Sequence, residues 1–325
     1  MEKNNYSEEK NLVTIPKKFL LGVYFILPIL FLVFLVDVFY FDSAFLPYFG
    51  LTTLTLPLYL IIFEMPHVLA SFFGFFEKEY VTHYKKQLFI YLPLVLFATI
   101  VLLWIDFNLG FALYIVGTVW HGLKQQTGIA LILGARPGYV HTAWTFIPII
   151  ITSLMHGFYI LPDIYPDVFI QYLSPIILLG IIILFPITIW RMMQSDPKVR
   201  LYIFLVSSLF FFSYVFILNE YIFLAFLAVR FVHDITAFAF YMTHDHNRSK
   251  VERKNWLYKI TLVLPVPILV MVPILAILFS YLAKVTINGL EIGFSILLLL
   301  SMAHYYLESV MWKRDTPHRQ HIKVQ

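Results

Sequence analysis

The chain has 325 residues, 60% of them hydrophobic and 13% charged, and its mean hydropathy is +0.81. A soluble domain usually carries about 25% charged residues, so this composition excludes an ordinary soluble globule and points to membrane spans. The net charge is only +4 and there is no cysteine, so no nucleic-acid partner is expected, and disulfides, thiolate metal sites and cysteine catalysis are excluded.

Residues 1–18 are polar and mixed in charge, without the short apolar core and small-residue cleavage site of a signal peptide. The first apolar run is therefore expected to be a retained span. At roughly 20 apolar residues per crossing, the chain predicts an all-α bundle of about ten spans, near 19–40, 49–76, 88–105, 109–134, 142–161, 168–190, 201–218, 221–242, 260–283 and 289–312. Nothing marks a soluble domain, a repeat or a low-complexity tract. The expectation is one integral membrane domain over 1–325, with an N-terminal segment at 1–18 and a tail at 313–325.

Lys and Arg in the loops orient the bundle. With the N-terminus inside, all of the 23 basic residues except Lys124, Arg230 and Lys284 fall in inside segments. Outside loops instead hold Asp42, Asp106, Asp163, Asp167 and Glu291. Both termini are thus expected to be cytoplasmic and the protein to reside in the cytoplasmic, or inner, membrane.

An ionisable side chain at mid-membrane costs about 2.5–3.5 kcal/mol on insertion scales and usually faces the bundle interior. This sequence places such residues repeatedly. FEMPH carries Glu64 and His67, VWHGLKQQTG carries His121, Lys124 and Gln125, RFVHD carries Arg230, His233 and Asp234, and HYYLE carries His304 and Glu308. These four segments lie on the second, fourth, eighth and tenth spans, which all run from outside to inside. His67, His233 and His304 sit about nine residues before the inner end of their spans and His121 about thirteen, so three share a level and the fourth is about 6 Å deeper.

Glu64 and His67 share a helix face, as do His304 and Glu308. Glu-x-x-His is a ligand pattern of di-metal bundles, although each carboxylate could instead orient a ligating imidazole or serve a second metal. Pro66 weakens the helix beside His67. Lys124 and Arg230 could pair with Glu64, Asp234 or Glu308, or hold an anionic substrate group. His156, on an odd-numbered span, reads as a packing histidine. His83, His141, His244, His246, His318 and His321 are expected in inside loops or the tail; none of the 11 histidines falls in an outside loop. His244 and His246 are secondary metal candidates. The 18% aromatic content suits lipid-facing packing and would also suit a tunnel for an apolar substrate.

MPHVLAS, VWHGLKQQ, RFVHDITAF and AHYYLESVMW resemble, in order and placement, the histidine-bearing segments of the Brp/Blh-type membrane β-carotene dioxygenases. The resemblance is confined to these four short segments, and Lys124 and Gln125 stand where that family has a small residue and an acid. It implies that His67, His121, His233 and His304 bind a non-haem iron, with O₂ as co-substrate and an apolar isoprenoid or other membrane lipid as substrate. HDH at 244–246 and HRQH at 318–321 are imperfect forms of the histidine boxes of membrane desaturases. Two other classes fit intramembrane His, Asp, Glu and Lys: a proton- or ion-coupled transporter, and a haem protein with two axial histidines. Metal identity, substrate and oligomeric state are not legible.

Overall fold

The computed structural model describes residues 12–49, 65–160, 167–251, 255, 258–260, 267–287 and 293–325. Among these residues the fold is all-helical, with one isolated parallel bridge between Ile15 and Val324. The helices used below are α1 (Lys17–Tyr40), α2 (Met65–Phe73), α3 (Lys78–His83), α4 (Gln87–Ile105), α5 (Phe107–Ile132) and α6 (Tyr139–Ile160). They continue with α7 (Asp167–Met193), α8 (Pro197–Leu218), α9 (Ile222–Val251), α10 (Ile268–Ile287), α11 (Gly293–Met311) and α12 (Pro317–Gln320).

Local chemistry sets several boundaries. Asp106 caps α5, its carboxylate accepting from the amides of Asn108 at 2.8 Å and Leu109 at 3.3 Å. Asp196 caps α8 through the Lys198 amide at 2.8 Å, with Pro197 in the first turn, where a missing N–H costs nothing.

Among the described residues, five helical stretches are long and apolar enough to cross a membrane: α1, α4, residues Leu173–Met193 of α7, α8 and α9. They are compatible with a multi-pass membrane protein. Their exposed faces are apolar: Phe25, Leu32 and Phe39 on α1, and Phe89, Leu94, Phe97 and Trp104 on α4, all face outward. Such faces are at home against lipid, where an apolar surface carries no hydration penalty. α5 spans 26 residues, but its C-terminal half carries the polar run His121 to Thr127, so its hydropathy falls below the other spans. Most of the run predicted at 49–76 lies outside the described residues, Glu64 included.

The chain divides into two compact units, Met1–Leu20, Leu60–Ile100 and Asp234–Gln325 in one, and Leu21–Tyr59 and Val101–His233 in the other. In the first, α10 and α11 pack on α2. The chain ends meet there: the Ile15 amide donates to the Lys323 carbonyl at 2.9 Å, and the Gln325 amide to the Ile15 carbonyl at 3.0 Å. In the second, α6 lies between α5 and α7, and α8 packs on α7, α5 and α1. Gly180 permits the close crossing of α6 and α7, since a Cβ there would lie 2.5 Å from the Ile151 side chain. Asp37, buried on α1, accepts from the Tyr221 hydroxyl at 2.7 Å and the Phe45 amide at 3.0 Å.

One expectation is corrected. THDHNR is not a loop; α9 continues through it to Val251. Hydropathy drops after Met242, but no glycine or proline follows before Val251, and the polar side chains find partners inside the first unit, so nothing ends the helix.

Candidate metal centre

His67, on α2, and His304, on α11, meet in the first unit. Their Nε2 atoms are 3.0 Å apart and their rings stand edge-on at 84°. The outer nitrogen of each is engaged. His67 Nδ1 is 3.2 Å from Asp234 Oδ1, at the point where α9 enters this unit. A proton on His67 Nδ1 would face that carboxylate. His304 Nδ1 is 2.9 Å from Ser71 Oγ. The Ser71 hydroxyl donates its single proton to the Val68 carbonyl at 2.6 Å, so toward His304 it must accept. With its proton on Nδ1, His304 turns its Nε2 lone pair toward His67 Nε2. All four of these side chains are buried.

His121, on α5, and His233, on α9, form a second pair in the other unit, with ring centroids 4.8 Å apart at 81°. His233 Nδ1 is 2.7 Å from Gln125 Oε1, one turn along α5 from His121. Arg230, one turn before His233, is buried too, and near enough to His121 for its charge to act on that ring.

His67, His121, His233 and His304 thus make up a buried four-histidine group that could hold a metal ion. The outer nitrogens of His233 and His304 are hydrogen-bonded and that of His67 faces the Asp234 carboxylate, the kind of arrangement that fixes tautomer and ring orientation in ligating histidines.

The other candidates fall in different places. Glu64, expected to orient a ligand, lies outside the described residues; the group bonded to His67 is Asp234. Glu308 is buried one turn beyond His304. Lys124 is exposed, its ammonium 5.4 Å from the Trp120 ring centroid and 5.6 Å from that of Phe146. The structure does not bring it to the histidines. His156 is the packing histidine expected, its Nδ1 2.9 Å from the Thr152 carbonyl and its ring against Phe226.

His244 has both ring nitrogens occupied, Nε2 by the Tyr80 hydroxyl at 2.8 Å and Nδ1 by Asp245 at 2.9 Å, and its ring stacks on His318. That leaves it no lone pair for a metal. His246 lies outside this network, half-exposed. His141 accepts from the Arg191 guanidinium at 3.2 Å.

Sequence reasoning missed Ser71, Gln126, Tyr24 and Tyr202. A serine four residues after a histidine, or a tyrosine in an aromatic-rich span, carries no signal that separates it from packing. No protein-family model, curated protein or solved structure matches the chain.

Proposed function

We propose that the two histidine pairs join in one metal centre, and that the chain is a ten-span, membrane-embedded metalloenzyme with both termini cytoplasmic. The observation that carries this reading is the His67–His304 contact. Two imidazole Nε2 atoms stand 3.0 Å apart, with Ser71 bonded behind one ring and the Asp234 carboxylate behind the other; with both protons on Nδ1 their lone pairs would repel, and a cation between them would remove that repulsion. The separation suits that role: with bonds of roughly 2.0–2.1 Å, ligand nitrogens stand about 2.9 Å apart at adjacent octahedral positions and about 3.3 Å apart in a tetrahedron. Chain continuity supports joining the pairs, because His233 of one pair and Asp234, which holds His67 of the other, are successive residues of α9.

An all-imidazole set suits iron, copper, zinc or nickel. The four-segment resemblance favours non-haem iron and an oxygenase acting on a carotenoid, isoprenoid or other lipid. His67, His121, His233 and His304 would hold the metal, which would supply O₂ activation beside the substrate. The protein's own contribution is to hold three of the four rings through Asp234, Ser71 and Gln125, to exclude water by burial, and to admit an apolar substrate sideways from the bilayer. Axial haem ligands must straddle the macrocycle about 4 Å apart, so the 3.0 Å contact does not favour haem.

The test is oxygen uptake by purified, iron-loaded protein in detergent with β-carotene or an acyclic isoprenoid. Substrate-dependent uptake, lost in His304→Ala, is expected. Folded protein whose uptake is the same with and without iron would contradict the oxygenase reading, and pH-dependent flux without bound metal would favour a carrier.

A further inference from the structure

His233 is held by more than one side chain. Gln125 Oε1, which meets His233 Nδ1 at 2.7 Å, also accepts from the Gln126 side-chain amide at 3.0 Å. Gln126 Oε1 in turn accepts from the Tyr24 hydroxyl at 2.7 Å and from the Tyr202 hydroxyl at 2.9 Å. The two phenol rings stand edge to face at 5.6 Å. Tyr24 lies in the tight turn Val23–Phe25 of α1 and Tyr202 on α8. Both tyrosines and Gln126 are buried, so water does not compete for these bonds. The whole chain of contacts lies in one unit.

The direction of the chain matters. A glutamine amide can be turned over, exchanging donor for acceptor. Turning both amides over would present an N–H to His233 Nδ1, moving the imidazole proton to Nε2 and removing the lone pair a metal needs. The structure holds the opposite orientation: Gln126 turns its Oε1 to both phenols, and the Tyr24 and Tyr202 hydroxyls each donate to it. That turns the Gln126 amino group to Gln125, makes Gln125 present oxygen to His233, and places the His233 proton on Nδ1.

We infer that Tyr24, Tyr202, Gln126 and Gln125 form a directional hydrogen-bond relay that holds His233 in its metal-binding tautomer. They are positioning residues, acting through His233. The inference rests on the proposed metal centre for its purpose but not for its geometry.

The test uses full-length, histidine-labelled protein purified with chelator. Nitrogen-15 solid-state NMR reads the tautomer, and the His233 signal is assigned by its loss in His233→Gln. Wild type is expected to carry the proton on Nδ1. Gln125→Leu and the Tyr24→Phe/Tyr202→Phe pair should shift the population toward the Nε2-protonated form. In cobalt(II) titrations, Gln125→Leu should bind about 10–100-fold more weakly, while Gln125→Glu, which keeps the acceptor, retains the affinity. Wild type protonated on Nε2, or both relay variants keeping the wild-type tautomer, would overturn the relay. Wild type with the Nδ1 proton and no cobalt affinity would uphold the relay and sink the metal reading instead.

Discussion

Ser71 and Asp234 decide how His304 and His67 present themselves, one through a neutral hydroxyl and the other through a carboxylate. Ser71→Ala removes the acceptor behind His304 and is expected to lower metal affinity about 10–100-fold while leaving the fold intact; a metal titration against circular dichroism checks both parts. Unchanged affinity would remove Ser71 from the site. The histidines were legible in the sequence because a polar side chain in a span carries a visible cost. Their partners were legible only in part. Asp234 stood out by charge and faces His67 from α9, while Glu64, to which the pattern around His67 pointed, lies outside the described residues. Lys124 stood out by charge as well, yet it lies exposed over aromatic rings. Sequence spacing places residues along a helix and leaves open which helix they meet.

Among the elements, α9 carries the most. Its last turns, past the expected end of the span, hold the polar core of the first unit. Tyr258 and His244 both reach Asp245 at 2.9 Å. The Asn247 side chain accepts from the Val13 amide at 2.8 Å and donates to the Val13 and His321 carbonyls, tying both chain ends to the helix. Asn247→Ala should therefore expose the tail to limited proteolysis; a tail cleaved no faster than wild type would contradict this. Arg248 is buried against Glu77 at 2.9 Å and also bonds Glu79. Arg248→Met leaves Glu77 buried and unpaired, and should cost roughly 3–5 kcal/mol, read as a lowered unfolding midpoint.

His318 sits among these residues, wholly buried, with Nδ1 3.1 Å from the Tyr84 hydroxyl. Burial above all, and then the charges of His244, His321, His83 and Arg248, hold its imidazole well below the ordinary 6.5. Folded His318 stays neutral where the unfolded chain takes up a proton. Its contribution is thus intact above the unfolded value and is lost as pH falls below about 6.5. Thermal unfolding between pH 8 and pH 5 should show a falling midpoint, with a shallower slope in His318→Asn; a midpoint that rises on acidification would contradict this. Gly74 is the other constraint, since a Cβ there would lie 2.6 Å from His318 Nε2. Gly74→Ala should destabilise by roughly 1–3 kcal/mol. This packing was not legible in the sequence, because the hydropathy that predicts spans falls away where α9 leaves the apolar run.

Among the described residues, large apolar side chains lie on the exposed faces as well as in the core, and histidine, aspartate, glutamate and arginine side chains are buried with that core. Exposed apolar faces suit a composition so rich in apolar residues, which is compatible with a multi-pass membrane protein. The helical architecture was legible for the same reason, while the division into two compact units was not, because it depends on which helices pack together. One helix, α9, runs through both units and carries His233 and Asp234 in succession. The most direct test is elemental analysis of purified wild-type protein beside His67→Ala, His304→Ala, His121→Ala and His233→Ala. One transition metal per chain in wild type, lost on removing a histidine of either pair, is the predicted result. Folded wild type without metal, or metal that survives the loss of one pair, would contradict a single four-histidine centre.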